Sequence, residues 1–188
     1  MTLGTRSLLF GCHQFLIHPV CVAVAWGKLY GWTWDWRLWL CFLVHDWGYW
    51  GCETMDGKDG KMHPVVGGRI VGKILGQEWG RFVRWHSRSM VEMDGFGSHP
   101  GNVTWLACAD KLAQDCYPKW LYMILGRMTG ELEEYRKDFG FDSVEEWYPM
   151  SREKMASWAW RWRWMSTPPP GHEFHNSVPP HGTATCEI

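Results

Sequence analysis

Along most of the chain, apolar residues recur at helical spacing, and no stretch sustains the period-two alternation that a half-buried strand requires. The pattern predicts an all-α architecture of helices joined by glycine-rich turns. A first helix is expected over Cys12 to Leu29, stopping at Tyr30-Gly31, and a second over Asp35 to Trp47, ending near Gly48. Gly51 to Lys61 reads as a polar glycine loop. His63-Pro64 opens a third helix through Leu75, with proline in the first turn where its missing N–H costs nothing, and Gly76 closes it. Glu78 to Arg88 predicts a fourth helix, followed by a loop over Asp94 to Gly101. Val103 to Cys116 and Trp120 to Phe139 predict two more, the second ended by Gly140. Ser151 is placed to cap a last helix, Arg152 to Met165, on which Trp158, Trp160, Trp162 and Trp164 alternate, putting aromatic rings on two faces.

From Ser166 onward, Pro168-Pro169-Pro170, Pro179-Pro180 and small polar residues leave little to bury. The expected organisation is one helical domain over residues 1–165 and a flexible, disordered proline-rich tail over 166–188. A length of 188 residues suits one domain with a sizeable core. With 19 basic and 20 acidic residues the net charge is -1, so nothing in the bulk electrostatics favours nucleic acid or an anionic membrane, and any anion site must be local. The 16 tryptophans are mainly a packing statement.

The seven cysteines include no C-x-x-C pair, which excludes a zinc knuckle and points to reduced thiols in a cytoplasmic protein. The apolar run from Leu8 to Trp26 is interrupted by His13, Gln14, His18 and Pro19. It therefore reads as a buried helix carrying polar groups inward, not as a signal peptide or membrane span. A homo-oligomer is neither required nor excluded by the composition.

The informative chemistry is a set of histidines and aspartates inside the helical body: His18, the adjacent pair His45-Asp46, His63, His86 and Asp110. A lone histidine on an apolar helix is ordinarily a hydrogen-bonded core or surface residue. His45-Asp46, however, directly follows Leu40-Cys41-Phe42-Leu43-Val44, so an imidazole and a carboxylate enter the core side by side. An unpaired charge there would cost several kcal/mol, which a metal ion would offset. Asp110 repeats the pattern after Trp105-Leu106-Ala107-Cys108-Ala109. Imidazoles and carboxylates without thiolates suit one or two divalent transition metals, Mn, Fe, Zn, Co or Ni, in a catalytic site. Two metals sharing Asp46 would leave about two positive charges after two carboxylates are counted, and such a pocket attracts phosphate.

The order H…HD…H…H…D resembles the HD superfamily of metal-dependent phosphohydrolases. Three contexts carry the resemblance: Phe42-Leu43-Val44-His45-Asp46-Trp47-Gly48, His63-Pro64-Val65-Val66-Gly67 and Ala107-Cys108-Ala109-Asp110-Lys111-Leu112. They fall in a stretch from about Leu16 to Gln114. The resemblance implies an HD-domain helical bundle in which His18, His45, Asp46 and Asp110 hold a first metal, and Asp46, His63 and His86 a second. His13, on the same predicted helix as His18, is the rival ligand. Asp46 would be central to catalysis. Lys111 and Arg88 are candidate catalytic phosphate contacts; Arg84 and, less so, Arg69 are further anion contacts, and Trp47, Tyr49 and Trp50 could stack on a base. Each charge has the plainer alternative of a solvated helix face, and each ring that of core packing.

The implied activity is hydrolysis of a nucleotide phosphate, a deoxynucleoside triphosphate or monophosphate above all. Tyr49 stands three residues past Asp46, where some HD nucleotidases carry the glutamate of H-D-x-x-E, and that leaves the general acid unassigned. Around His86 and Asp94-Gly95 the chain only loosely resembles the signature of cyclic-dinucleotide phosphodiesterases, so a cyclic-nucleotide phosphodiesterase is a weaker alternative. An HD-fold di-iron oxygenase and a non-catalytic metal- or nucleotide-binding module are the other rivals. Gly67 to Lys73 has the spacing of a phosphate-binding loop, but Ile74 replaces the hydroxyl residue and no strand precedes it. Arg161 and Arg163 among the tryptophans are too few cations for a nucleic-acid track.

Overall fold

The computed structural model describes residues 1–97 and 99–172. Among these residues ten helices run in the order α1 Leu3–Phe10, α2 Ile17–Tyr30, α3 Trp36–Val44, α4 His63–Leu75, α5 Gln77–Arg84, α6 Arg88–Met93, α7 Trp105–Cys116, α8 Lys119–Thr129, α9 Glu131–Asp138 and α10 Val144–Trp162. Short 3-10 turns at Trp47–Tyr49, Gly60–Met62 and Pro100–Asn102 link them. The described residues form no strand, only an isolated bridge between Thr104 and Thr167. None of their helices is long and apolar enough to cross a membrane.

Helix α7 packs between α2 and α10, and this central layer buries Val22, Trp26, Phe42, Leu106, Leu112 and Ala159. Helices α4 and α5 form a hairpin about Gly76, whose φ of 97° favours glycine. Gly68 and Gly80 face one another so closely that a Cβ on either would come within 2.8 Å of the other's carbonyl. The glycines that mimic a phosphate-binding loop are thus explained by helix packing.

Several expected boundaries move, each for a local reason. The first predicted helix, expected from Cys12, begins only at Ile17, and a separate helix, α1, absent from the expectation, precedes it; α1 ends at Gly11 and the Cys12 N–H turns to the Glu131 carboxylate, 3.0 Å away. Helix α3 stops at Val44, and Asp46 (φ -94°, ψ 0°) leads into the 3-10 turn. The fourth expected helix ends at Arg84, since the Trp85 and Phe82 carbonyls accept bonds from the N–H and hydroxyl of Thr104; a separate helix, α6, follows. Gly130, at φ 85°, divides the span expected as one helix over Trp120 to Phe139.

Helix α10 is capped by Ser143, not Ser151: the Ser143 hydroxyl accepts from the Glu146 N–H at 3.2 Å, and the helix continues through Pro149. Trp158 and Trp162, one turn apart, pack on the core, while Trp160 and Trp164 are exposed beneath the Arg163 guanidinium. The start of the expected tail is held to the body. Ser166 is buried, its carbonyl accepts from the Trp105 indole N–H, and Thr167 exchanges backbone bonds with Val103 and Trp105. The rest of that expectation, 173–188, lies outside the described residues. Six of the seven cysteines are described and all six are free thiols.

Candidate metal centre

Each of the six predicted ligands stands at or near a helix end or faces the interior from α7. His18 is in the first turn of α2, His45 and Asp46 follow α3, His63 opens α4, His86 follows α5, and Asp110 lies midway along α7. His18, His45, Asp46, His63 and His86 are buried, and the Asp110 side chain is 11% exposed. The polar groups enter the core where helices end because the apolar faces behind them, such as Cys41, Phe42 and Val44, anchor those ends.

Two nests result, one of His18, His45, Asp46 and Asp110, the other of Asp46, His63 and His86. In the first, His18 Nε2 lies 3.3 Å from His45 Nε2 and 3.2 Å from both Asp46 Oδ2 and Asp110 Oδ1. His45 Nε2 is 3.2 Å from Asp46 Oδ2 and 3.7 Å from Asp110 Oδ1. In the second, His63 Nε2 is 3.1 Å from His86 Nε2, and these nitrogens stand 3.3 and 3.6 Å from Asp46 Oδ1. Asp46 therefore gives one oxygen to each nest. Donors bound at about 2.1 Å to a common cation lie ~3.0 Å apart at octahedral and ~3.4 Å apart at tetrahedral angles; six of the eight separations fall in that range, and His45–Asp110 at 3.7 Å and His86–Asp46 at 3.6 Å lie just beyond it.

The hydrogen bonds behind the nests decide what the nitrogens can do. His45 Nδ1 donates to the Phe42 carbonyl at 2.9 Å, His63 Nδ1 to Gly60 at 2.6 Å and His86 Nδ1 to Val83 at 2.7 Å, each three residues earlier. A carbonyl only accepts, so each Nδ1 carries a proton and Nε2 is the nitrogen left to face the nest, where it offers a lone pair once a cation takes the place of its proton. The Nε2 atoms of His63 and His86, facing at 3.1 Å, need a proton or a metal cation between them. Asp46 Oδ2 is buried and has no hydrogen-bond partner. These are the properties of residues that fit a metal, and the donor set is imidazole and carboxylate throughout.

The electrostatics agree. Burial would raise the Asp46 carboxyl, but His45 and the surrounding imidazoles hold it well below the ordinary carboxylate range. For Asp110, Lys111 leads the groups that overcome burial and hold it low. His45 is carried up to about 10 by Asp46 and Asp110 against the pull of burial, whereas burial takes His63 down to about 4.

Two adjoining cavities, of about 170 and 120 Å³, open over the nests. Lys111 lines both, with Nζ 3.1 Å from Asp110 Oδ2, and Tyr49 lines both while stacking on His63 at 4.0 Å between ring centres. The other predicted contacts are not brought here. The Arg84 guanidinium is gripped by both oxygens of Asp94 at 2.7 Å, Arg88 pairs with Glu92, and neither they, Arg69, Trp47 nor Trp50 lines either cavity.

His13, the rival ligand, is not in either nest. Its Nδ1 is 2.5 Å from Oε1 of Glu131, a wholly buried carboxylate. Burial presses the His13 imidazole down, but Glu131 overrides it and carries it to about 9; burial likewise would raise Glu131, and His13 holds it below its ordinary range. Glu131 is not among the predicted site residues, because one helix over 120–139 hides the turn at Gly130 that carries it inward; its spacing of four from Tyr135, on the buried face with Leu132, is the signal the sequence holds. Asp56 and Gln114, which line the larger cavity, were also missed, although Gln114 follows Asp110 by one helical turn. No family model, curated protein or solved structure matches this chain.

Proposed function

We propose that the protein is a metal-dependent phosphohydrolase of the HD type that acts on nucleotide phosphates, with deoxynucleoside tri- or monophosphates as the leading substrates. The observation that carries the reading is the pair of cation nests sharing Asp46 beneath a cavity lined by Lys111. His18, His45, Asp46 and Asp110 would hold one divalent metal, and Asp46, His63 and His86 the other. When bound, the metals supply Lewis-acid polarisation of the phosphoryl group and a hydroxide at neutral pH.

The chain's own residues supply the rest. Lys111 offers a charged donor to a phosphoryl oxygen, next to a net charge of about two positive after the carboxylates are counted. Gln114 has a buried amide Nε2 without a partner, which suits a substrate acceptor. Tyr117, Phe139 and Trp147 give the larger cavity an aromatic wall for a sugar or base. Tyr49, stacked on His63, keeps one side of the centre dry.

The test is the metal content of protein purified without added metal, followed by assay of phosphate, pyrophosphate and triphosphate release from a nucleotide panel. Bound metal with release of one product supports the reading and identifies the bond cut. Iron with oxygen uptake and no release from any nucleotide would replace it with the oxygenase alternative, and tight nucleotide binding without turnover would replace it with a binding module.

A further inference from the structure

The Glu131 carboxylate lies in the protein core with no exposed surface, yet it is no part of either cation nest. Its surroundings are built for it. Oε2 accepts from the Ser7 hydroxyl at 2.8 Å and the Cys12 N–H at 3.0 Å, and Oε1 accepts from the Tyr135 hydroxyl at 3.3 Å. Gly11 leaves the room, since a Cβ there would stand 2.6 Å from Oε2. Two segments distant in sequence, 7–12 and 131–135, thus converge to hold one charge that would cost several kcal/mol if unpaired. Its remaining partner is His13, and that imidazole is where the arrangement meets the site.

His13 Nδ1 is committed to Glu131, so Nε2 is the ring's free polar atom, without a protein partner among the described residues. The ring lines both cavities together with Lys111, and its centre lies 5.2 Å from those of His18 and Tyr49. A buried carboxylate that orients an imidazole through Nδ1, leaving Nε2 at the reacting centre, is the geometry by which enzymes move a proton at a fixed place.

We propose that His13, oriented by Glu131, donates the proton that the leaving group takes up during phosphate-ester hydrolysis. The assignment rests on the phosphohydrolase reading above. In the step, the oxygen of water bonds to phosphorus as the ester P–O bond breaks. The electrons of that bond stay with the leaving oxygen, which takes the proton from His13 Nε2. The proton lost by the water goes to solvent, and the imidazole regains its own from solvent through the cavity. His13 is the catalytic residue in this scheme, and Glu131 the positioning residue.

The experiment compares the metal-loaded wild type, His13→Gln and Glu131→Gln on two esters: p-nitrophenyl phosphate, whose phenolate leaves without a proton, and a deoxynucleoside monophosphate, whose alkoxide does not. The expected result is that the ratio of kcat on the activated ester to kcat on the nucleotide rises about 10²-fold in His13→Gln, at the low end for general acid catalysis, and by less in Glu131→Gln, with metal content unchanged. Equal losses on both esters, or loss of metal in His13→Gln, would overturn the assignment. So would a rise in the ratio confined to Asp56→Asn, the other cavity carboxyl.

A measurement on the wild type alone guards against a Glu131 variant that fails to fold. Across substituted aryl phosphates, kcat should depend only weakly on leaving-group basicity, and a steep dependence overturns the proposal. Hydrolysis of neither ester by metal-loaded wild type would instead sink the phosphohydrolase reading, and the role of His13 with it.

Discussion

Asp46→Asn is the sharpest perturbation of the metal centre. The substitution keeps the shape of a side chain that is 6% exposed, but replaces one of the two oxygens, 3.2 to 3.6 Å from four imidazole nitrogens, with an amide that cannot ligate. For the wild type, metal at 100 times its Kd stabilises the fold by about 2.7 kcal/mol. In a domain of this size each kcal/mol moves Tm by roughly 2–4 °C, so Mn²⁺ should raise Tm by roughly 5–11 °C. Loss of the shared carboxylate should weaken affinity by ~100-fold or more, at least the upper range seen for residues one shell further out. At the same metal concentration the variant then gains only about 0.4 kcal/mol, a shift of roughly 1 °C. The assay is thermal unfolding with and without metal, paired with elemental analysis. A variant that keeps the wild-type shift and metal content would refute the assignment of Asp46 as the shared ligand, and a wild type with no shift for any of the five candidate metals would refute the centre itself.

Gly48→Ala should destabilise the fold by ~1–3 kcal/mol and lower the occupancy of the His63 nest, because the new Cβ would lie 1.9 Å from the His63 carbonyl; denaturant unfolding and metal content check both. Lys111→Ala should retain metal and raise KM for a nucleotide by roughly tenfold or more, as loss of a charge-assisted hydrogen bond requires. Arg84→Ala and Arg88→Ala should leave kcat/KM near the wild-type value and change stability by less than ~1 kcal/mol, since both cations are engaged by surface carboxylates away from the cavities. The His13–Glu131 pair predicts a pH dependence. His13, raised to about 9, contributes stability that is complete below the ordinary imidazole range and lost as pH rises through that value, while Glu131, held low, contributes stability present above the ordinary carboxylate range and lost in acid. The stability advantage of wild type over His13→Gln should therefore shrink by on the order of 2 kcal/mol between pH 7 and pH 10 in denaturant titrations; a constant difference would contradict the pairing.

The sequence by itself determined the helical class and the six candidate ligands, because both are local properties. Helical spacing of apolar residues and glycine stops are written within single segments, and His63-Pro64 through Leu75 emerges as a helix with the expected bounds. A carboxylate placed directly after Cys41-Phe42-Leu43-Val44-His45 announces a buried charge in need of a counter-charge wherever that segment packs. What depends on segments far apart in the chain was decided only in the folded molecule. Arg84 and Arg88 looked like anion contacts beside His86, but Asp94 and Glu92 claim them. In the sequence His18 is the preferred ligand and His13 its rival; the break at Gly11 and the bend at Gly130 carry Glu131 against His13 and leave His18 to the nest. Ser166 and Thr167 carry no apolar signal of their own, yet the Trp105 indole N–H holds the Ser166 carbonyl and backbone bonds to Val103 and Trp105 hold Thr167. Hydrophobic periodicity records which face of a helix is buried; which distant partner meets a buried polar group depends on how the helices close on one another, and that is a property of the tertiary structure alone.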